Sequence, residues 1–170
     1  GYEGPTNGKS FCEPCEPGTF NEQLTGLKKC ENCPKGFYTD ATRQTVCKKC
    51  ARGMHNTADK SASCESCGPG QYQDEESQTI CIQCRVGTYA AAVGSERCTN
   101  CPAGYFVNST RQSSCRKCPS GYVANMTKAL SCKSCSEGEF HNLGGDFCAK
   151  CPVGFYQDTV AQTRCVERIE

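Results

Sequence analysis

Nineteen of the 170 residues are cysteine, and they stand in a fixed order. Nine C-x-x-C pairs come first: Cys12/Cys15, Cys30/Cys33, Cys47/Cys50, Cys64/Cys67, Cys81/Cys84, Cys98/Cys101, Cys115/Cys118, Cys132/Cys135 and Cys148/Cys151. A single Cys165 follows. Thiols at this spacing can do three kinds of chemistry. Two knuckles could hold zinc through four thiolates, but this many thiols would need about four or five ions in unbroken succession. One activated pair could exchange disulfides, but that chemistry wants a thiol at a helix N-terminus in a βαβ setting, and no βαβ pattern is present. The third use is a framework of disulfides, which small secreted chains adopt in place of a core.

Composition selects the third. Leu, Ile, Val and Phe together number 22, and there is no Trp. That is too little apolar side chain for an ordinary globular interior of this length. A loop of about 15 residues closed by one bridge gains about 3 kcal/mol in the chain-entropy account, so a run of bridges can replace what burial does not supply. No metal is expected, and no cofactor beyond N-linked glycans.

The elements that position the cysteines follow from their period. Successive pairs are 17 residues apart, with one step of 18 and one of 16, and a short fixed period marks a repeat architecture. Three residues after each second cysteine stands a glycine: Gly18, Gly36, Gly53, Gly70, Gly87, Gly104, Gly121, Gly138 and Gly154. A turn with positive φ, or a close backbone approach, demands that residue. Two residues further on comes a ring, at Phe20, Tyr38, His55, Tyr72, Tyr89, Phe106, Phe140 and Tyr156, with Val123 as the exception. The ring is expected to pack on a disulfide and to serve as the whole apolar core of its repeat. The Gly-x-ring stretches have β character and the polar stretches are turns. No window carries a sustained 3.6-residue apolar period.

The expected fold is therefore an elongated rod of small disulfide-rich repeats, about ten 17-residue C-x-x-C units with short β-hairpins and turns and little or no helix. It reads as one continuous array over 1–170, with units opening near 12, 30, 47, 64, 81, 98, 115, 132, 148 and 165. Residues 1–11 read as the remainder of a truncated upstream unit, since Gly1 precedes Cys12 as Gly36 precedes Cys47. At the other end Arg168 occupies the place of a second cysteine.

A weaker pattern lies over the first. Four polar loops read Asx, three residues, Gln, then Thr or Ser: they begin at Asp40, Asp74, Asn108 and Asp158. The first three fall in alternate repeats, and the fourth arrives one repeat late, after Gly144-Gly145. Repeats working in pairs, with a slip near those glycines, would explain this. Two bridge patterns stay open. Each second cysteine can bond the next first one (Cys15–Cys30, Cys33–Cys47), or firsts can bond firsts and seconds seconds (Cys30–Cys47, Cys33–Cys50). The second pattern makes 34-residue modules and suits the alternating loops.

Asn108-Ser-Thr and Asn125-Met-Thr are N-glycosylation acceptors in polar loops at one phase of neighbouring repeats. No loop gathers the oxygens that calcium needs, so the acidic loop residues read as Asx-turns. The two histidines, His55 and His141, lie in separate repeats, and no nucleophile–base or paired-carboxylate arrangement stands out, so catalysis is not expected. Formal net charge is +1, with no basic face for nucleic acid. The longest apolar run, Tyr89–Val93, is too short for membrane insertion within this segment.

Units such as Cys33-Pro34-Lys35-Gly36-Phe37-Tyr38 and Cys151-Pro152-Val153-Gly154-Phe155-Tyr156 resemble the ephrin-receptor-like cysteine-rich repeat. That repeat is related to the cysteine-rich modules of tumour necrosis factor receptors and EGF-like stalks, and is similar to arrays in protist and algal surface proteins. The resemblance implies an extracellular or cell-surface, disulfide-linked rod with EGF-like interlocked pairing. A structural role in a stalk, surface coat or filament is expected, each unit touching only its neighbours. Its partners would be other copies of itself or matrix and surface proteins. The alternative is a ligand-binding or adhesion ectodomain of a receptor.

Overall fold

The computed structural model describes residues 2–4, 12–22, 29–143 and 145–168. Gly1 and Gly144, which figure in the spacing arguments above, lie outside them. Among the described residues there is no helix, and twenty strands form ten two-stranded sheets.

The bridge pattern is sequential. Nine disulfides join each second cysteine to the next first one: Cys15–Cys30, Cys33–Cys47, Cys50–Cys64, Cys67–Cys81, Cys84–Cys98, Cys101–Cys115, Cys118–Cys132, Cys135–Cys148 and Cys151–Cys165. The interlocked pairing that the resemblance implies is corrected, and with it the 34-residue module. We number the pieces closed by these bridges modules 1 to 9. Cys12, placed among the bridged residues on sequence, is exposed and unbridged. In this pattern a first cysteine bonds the second cysteine before it, and no cysteine precedes Cys12 in the sequence.

The local cause of the pairing is the glycine turn. In module 2 the Phe37 N–H donates to the Pro34 carbonyl at 3.0 Å, closing a β-turn with Gly36 at its third position and φ of 81°. The same bond recurs in module 1 (Thr19 to Glu16, 3.0 Å) and module 9 (Phe155 to Pro152, 3.0 Å). All nine glycines of the repeat have φ between 74° and 88°, where a Cβ is disfavoured. The turn folds each second cysteine back onto the hairpin it precedes. In module 2 that hairpin pairs Phe37–Tyr38 with Lys48–Lys49, in the register Phe37↔Lys49 and Tyr38↔Lys48. Cys33 then meets Cys47 with their Cα atoms 5.8 Å apart, inside the range a disulfide accepts. The Gly36 carbonyl accepts from the Cys50 N–H at 2.9 Å, which locks the exit of the hairpin. Arg168 makes the same bond to Gly154 at 2.9 Å in module 9, so this link needs the backbone and not the thiol.

Module 8 is one residue shorter, with a bridge separation of 13 against 14 in its neighbours. Its hairpin is correspondingly longer: Glu139–His141 pairs with Cys148–Lys150, adding His141↔Cys148 to the register.

The rings are not the core. They are half-buried in modules 1 to 8, and Tyr156 is exposed. The interior is instead made of sulfur, with Cys15, Cys33, Cys50, Cys67, Cys84, Cys101 and Cys135 at most 1% exposed. Beside it lies the residue after each ring: Asn21, Thr39, Asn56, Gln73, Ala90, Val107, Ala124, His141 and Gln157 are all buried. Burial of a ring is cut short because a two-residue strand has only one covered face and no second sheet to pack against.

The chain divides into two compact bodies, Gly1–Ile82 with Ala92–Arg97 and Gln83–Ala91 with Cys98–Glu170.

Candidate functional site

With no chemistry-bearing cluster prescribed by the sequence, the structural work of the molecule is concentrated at the joints between consecutive modules. Within each body three backbone bonds recur at these joints, the joint between modules 7 and 8 being the exception. The glycine N–H of one module donates to the carbonyl after the next module's ring, as Gly36 does to Asn56 (3.1 Å) and Gly104 to Ala124 (2.8 Å). The N–H of the buried residue after the ring donates into the next loop, as Thr39 does to Ser61 (3.2 Å) and Val107 to Ala129 (3.1 Å). A loop N–H donates back to the preceding module's second cysteine, as Lys60 does to Cys33 and Lys128 to Cys101, both 2.9 Å. Those loop donors have positive φ although most are not glycine: Arg43, Lys60, Ser77, Arg111, Lys128 and Ala161. The strain each carries is held by its bond to a buried cysteine carbonyl.

Modules also touch beyond their neighbours, correcting the expectation of nearest-neighbour contact only. The glycine of one module is covered by the loop two modules on: Gly18 by Lys60, Gly36 by Ser77 and Gly53 by Gly94 in the first body, Gly87 by Lys128 and Gly121 by Ala161 in the second. A Cβ at any of these would overlap a backbone carbonyl.

Side chains in the buried position adapt to each joint. Thr39 Oγ1 accepts from the Gly18 N–H at 2.7 Å and donates to the Thr19 carbonyl at 3.2 Å. Asn56 Nδ2 reaches the Phe37 carbonyl at 2.9 Å, while its Oδ1 accepts from the Ala58 N–H and the Ser61 hydroxyl. Gln73 and Gln157 turn into their own loops, donating to the Ile80 and Arg164 carbonyls. Among the described residues no buried side-chain nitrogen or oxygen lacks a partner.

The alternating loops have a local explanation. Gln44 and Gln112 donate from Nε2 to the Thr42 and Thr110 carbonyls, two residues back across the positive-φ residue. In the intervening loops Ser95 donates three residues back to the Ala92 carbonyl, and Ser61 gives its one proton to Asn56 Oδ1. Both devices support one backbone shape, so the two-repeat sequence period leaves no two-repeat bridge pattern.

His55, in the ring position of module 3, lies on the bridge of module 4, with its Nδ1 3.2 Å from Cys81 Sγ and 3.1 Å from the Glu65 carbonyl. One imidazole nitrogen and the sulfurs of Cys67 and Cys81 gather within 4.8 Å. Those sulfurs are bonded to each other and are not thiolate ligands.

On the surface, Asn108 and Asn125 are both exposed in their loops. Asn125 borders a cavity of about 350 Å³ walled in part by Met126, Lys128 and Leu130. Asp40 is paired with Lys48 at 2.7 Å, and this hydrogen bond holds its carboxyl below, and the Lys48 ammonium above, their usual ranges. No helix is long and apolar enough to cross a membrane among the described residues.

Sequence reasoning missed the buried position after the ring and the positive-φ loop residue. Nothing in the variety Asn, Thr, Gln, Ala, Val and His announces burial. Of the loop positions only Gly94 carries a residue type that signals positive φ.

The family described as tyrosine-protein kinase ephrin type A/B receptor-like matches at residues 23–63, 56–96 and 87–135, an unbroken span of more than half the chain. No curated protein matches. Among solved structures, a chain of the human RANKL/OPG complex is 25% identical, covering 69% of this chain and 81% of that one, with a TM-score of 0.24. So loose a superposition supports no inference. The matched repeats are cysteine-rich, extracellular-type ectodomain modules that serve ligand binding or structure.

Proposed function

Since the chain belongs to the ephrin type A/B receptor-like cysteine-rich family, we propose that it is an extracellular structural element, a continuous stitched array forming part of a stalk, surface coat or filament. One observation carries this reading: within each body the same backbone bonds recur from joint to joint, the joint between modules 7 and 8 excepted. Uniform joints suit a spacer, which needs a fixed rise per module. Every bridge lies inside a module, so load passes between modules through the two residues inside each C-x-x-C and the hydrogen bonds of the joint. The sulfur prevents each hairpin loop from paying out. Asn108 and Asn125 would carry N-linked glycans that shield neighbouring modules from lateral aggregation. The partners would be further copies of the chain or matrix and surface proteins.

Stretching a single molecule tests the role. Under force the oxidised array should extend only by its inter-bridge segments. Reduction should release the loop closed by a sequence separation of 14, adding about 40 Å per module at full extension. Imaging of native material should show extended particles. Compact particles that bind one partner saturably would replace this reading with the receptor ectodomain. The exposed Met126 and Leu130 beside the cavity of module 7 are where such a ligand would be sought.

A further inference from the structure

One joint differs from the rest in a way that bears on regulation. The Gly121 N–H of module 7 donates to a ring nitrogen, Nδ1 of His141, at 3.2 Å. Gly36, Gly53, Gly87, Gly104 and Gly138 all donate to a backbone carbonyl. His141 is 8% exposed and occupies the buried position after the ring, which Thr, Asn, Gln, Ala or Val fills in other modules. Its own N–H donates to the Gln162 carbonyl of module 9 at 2.7 Å, so the residue ties modules 7, 8 and 9 together.

An N–H donor fixes the protonation of its partner. Nδ1 can accept only while it carries a lone pair, which places the ring proton on Nε2. A second proton would turn Nδ1 into a donor facing the Gly121 donor, in a site from which water is largely excluded. The bond and the imidazolium therefore exclude each other. Other charged groups around the ring do not change this. Lys117 and Asp146 border the same cavity of about 80 Å³ from opposite sides of the charge scale, and both are exposed, where water screens them.

We propose that His141 makes the joint between modules 7 and 8 acid-sensitive: intact when the imidazole is neutral, released when it is protonated. The sign is set by the geometry. The neutral form holds the bond, so the joint is complete while the imidazole is neutral and is lost as falling pH protonates it. A chain that meets an acidified compartment would gain a hinge at one defined place, while joints closed by backbone carbonyls stay shut.

Amide hydrogen exchange on the intact, oxidised chain tests this. Between about pH 7.5 and about pH 5, corrected for intrinsic rates, protection at Gly121 should fall about tenfold or more. Protection at Gly138, bonded to the Gln157 carbonyl, should hold. His141→Thr and His141→Asn place there the residues that modules 2 and 3 use natively, and should abolish the pH step at Gly121. Unchanged protection in the wild type, or an equal fall in the variants, overturns the proposal. Should both variants misfold, the wild type still decides: the Gly121 amide resonance must follow the titration of the His141 ring, and failure to follow it is equally fatal.

Discussion

The backbone carbonyl of Ser77 lies against the α-carbon of Gly36, in the space a side chain would need, although 41 residues separate them. Gly36 thus answers to two constraints, a positive φ set by its own turn and a neighbour two modules away. Gly154, with φ of 88°, has nothing within 4 Å of where a Cβ would stand. Gly154→Ala should therefore cost only the conformational term, about 1–2 kcal/mol. Gly36→Ala should cost more, about 3 kcal/mol or above, because backbone must also shift. Urea unfolding of the two variants side by side measures the difference, and equal losses would mean that the covering loop is not seated in solution.

Thr39 is 0% exposed and uses its hydroxyl twice, toward Gly18 and toward Thr19. Thr39→Val keeps the shape and removes both bonds, so a loss of about 1–2 kcal/mol is expected. Thr39→Ser keeps both bonds and loses one methyl group, for about 0.8 kcal/mol. The order of the two unfolding midpoints is the test. If Ser is the worse substitution, packing and not hydrogen bonding dominates this position.

Lys48-Lys49 and Arg116-Lys117 sit between the two cysteines of a pair, on exposed strands. Sequential bridges leave nothing covalent across these sites except the backbone. Tryptic cleavage there should release separate segments under denaturing, non-reducing conditions, each lighter than its reduced form by two hydrogens per intact bridge. Interlocked bridges would hold the fragments together until a reductant was added.

Asp40 loses a proton more readily than an ordinary carboxyl because Lys48 donates to it. A depressed folded value means that the pair contributes above the unfolded carboxyl range, about 3.9, and its contribution is lost as pH falls through the folded value. Lys48→Met should move the Asp40 titration upward when followed by carbonyl carbon resonances. The pair is exposed, so little change in overall stability is expected. An unmoved titration would show that the ion pair does not persist in solution.

Much of this protein is written in its sequence because the decisive chemistry is local. A glycine three residues past a cysteine dictates a turn, and the turn makes a hairpin, whatever happens elsewhere in the chain. The shortage of Leu, Ile, Val and Phe together with nineteen cysteines pointed to disulfides in place of a large apolar core. The same reasoning misjudged the rings, since Phe20 and Tyr38 look like core residues by type yet have only one face covered.

What only the tertiary structure decided is which groups meet across modules. Cys33 bonds Cys47 and not Cys50 because the turn at Gly36 carries Cys33 back onto its own hairpin, a matter of direction in space that spacing does not encode. The positions of Thr39, Asn56 and His141 are buried by neighbouring modules through backbone bonds that any residue can make. Side-chain identity there differs from module to module, each making its own bonds, and a position that differs each time leaves no pattern to read.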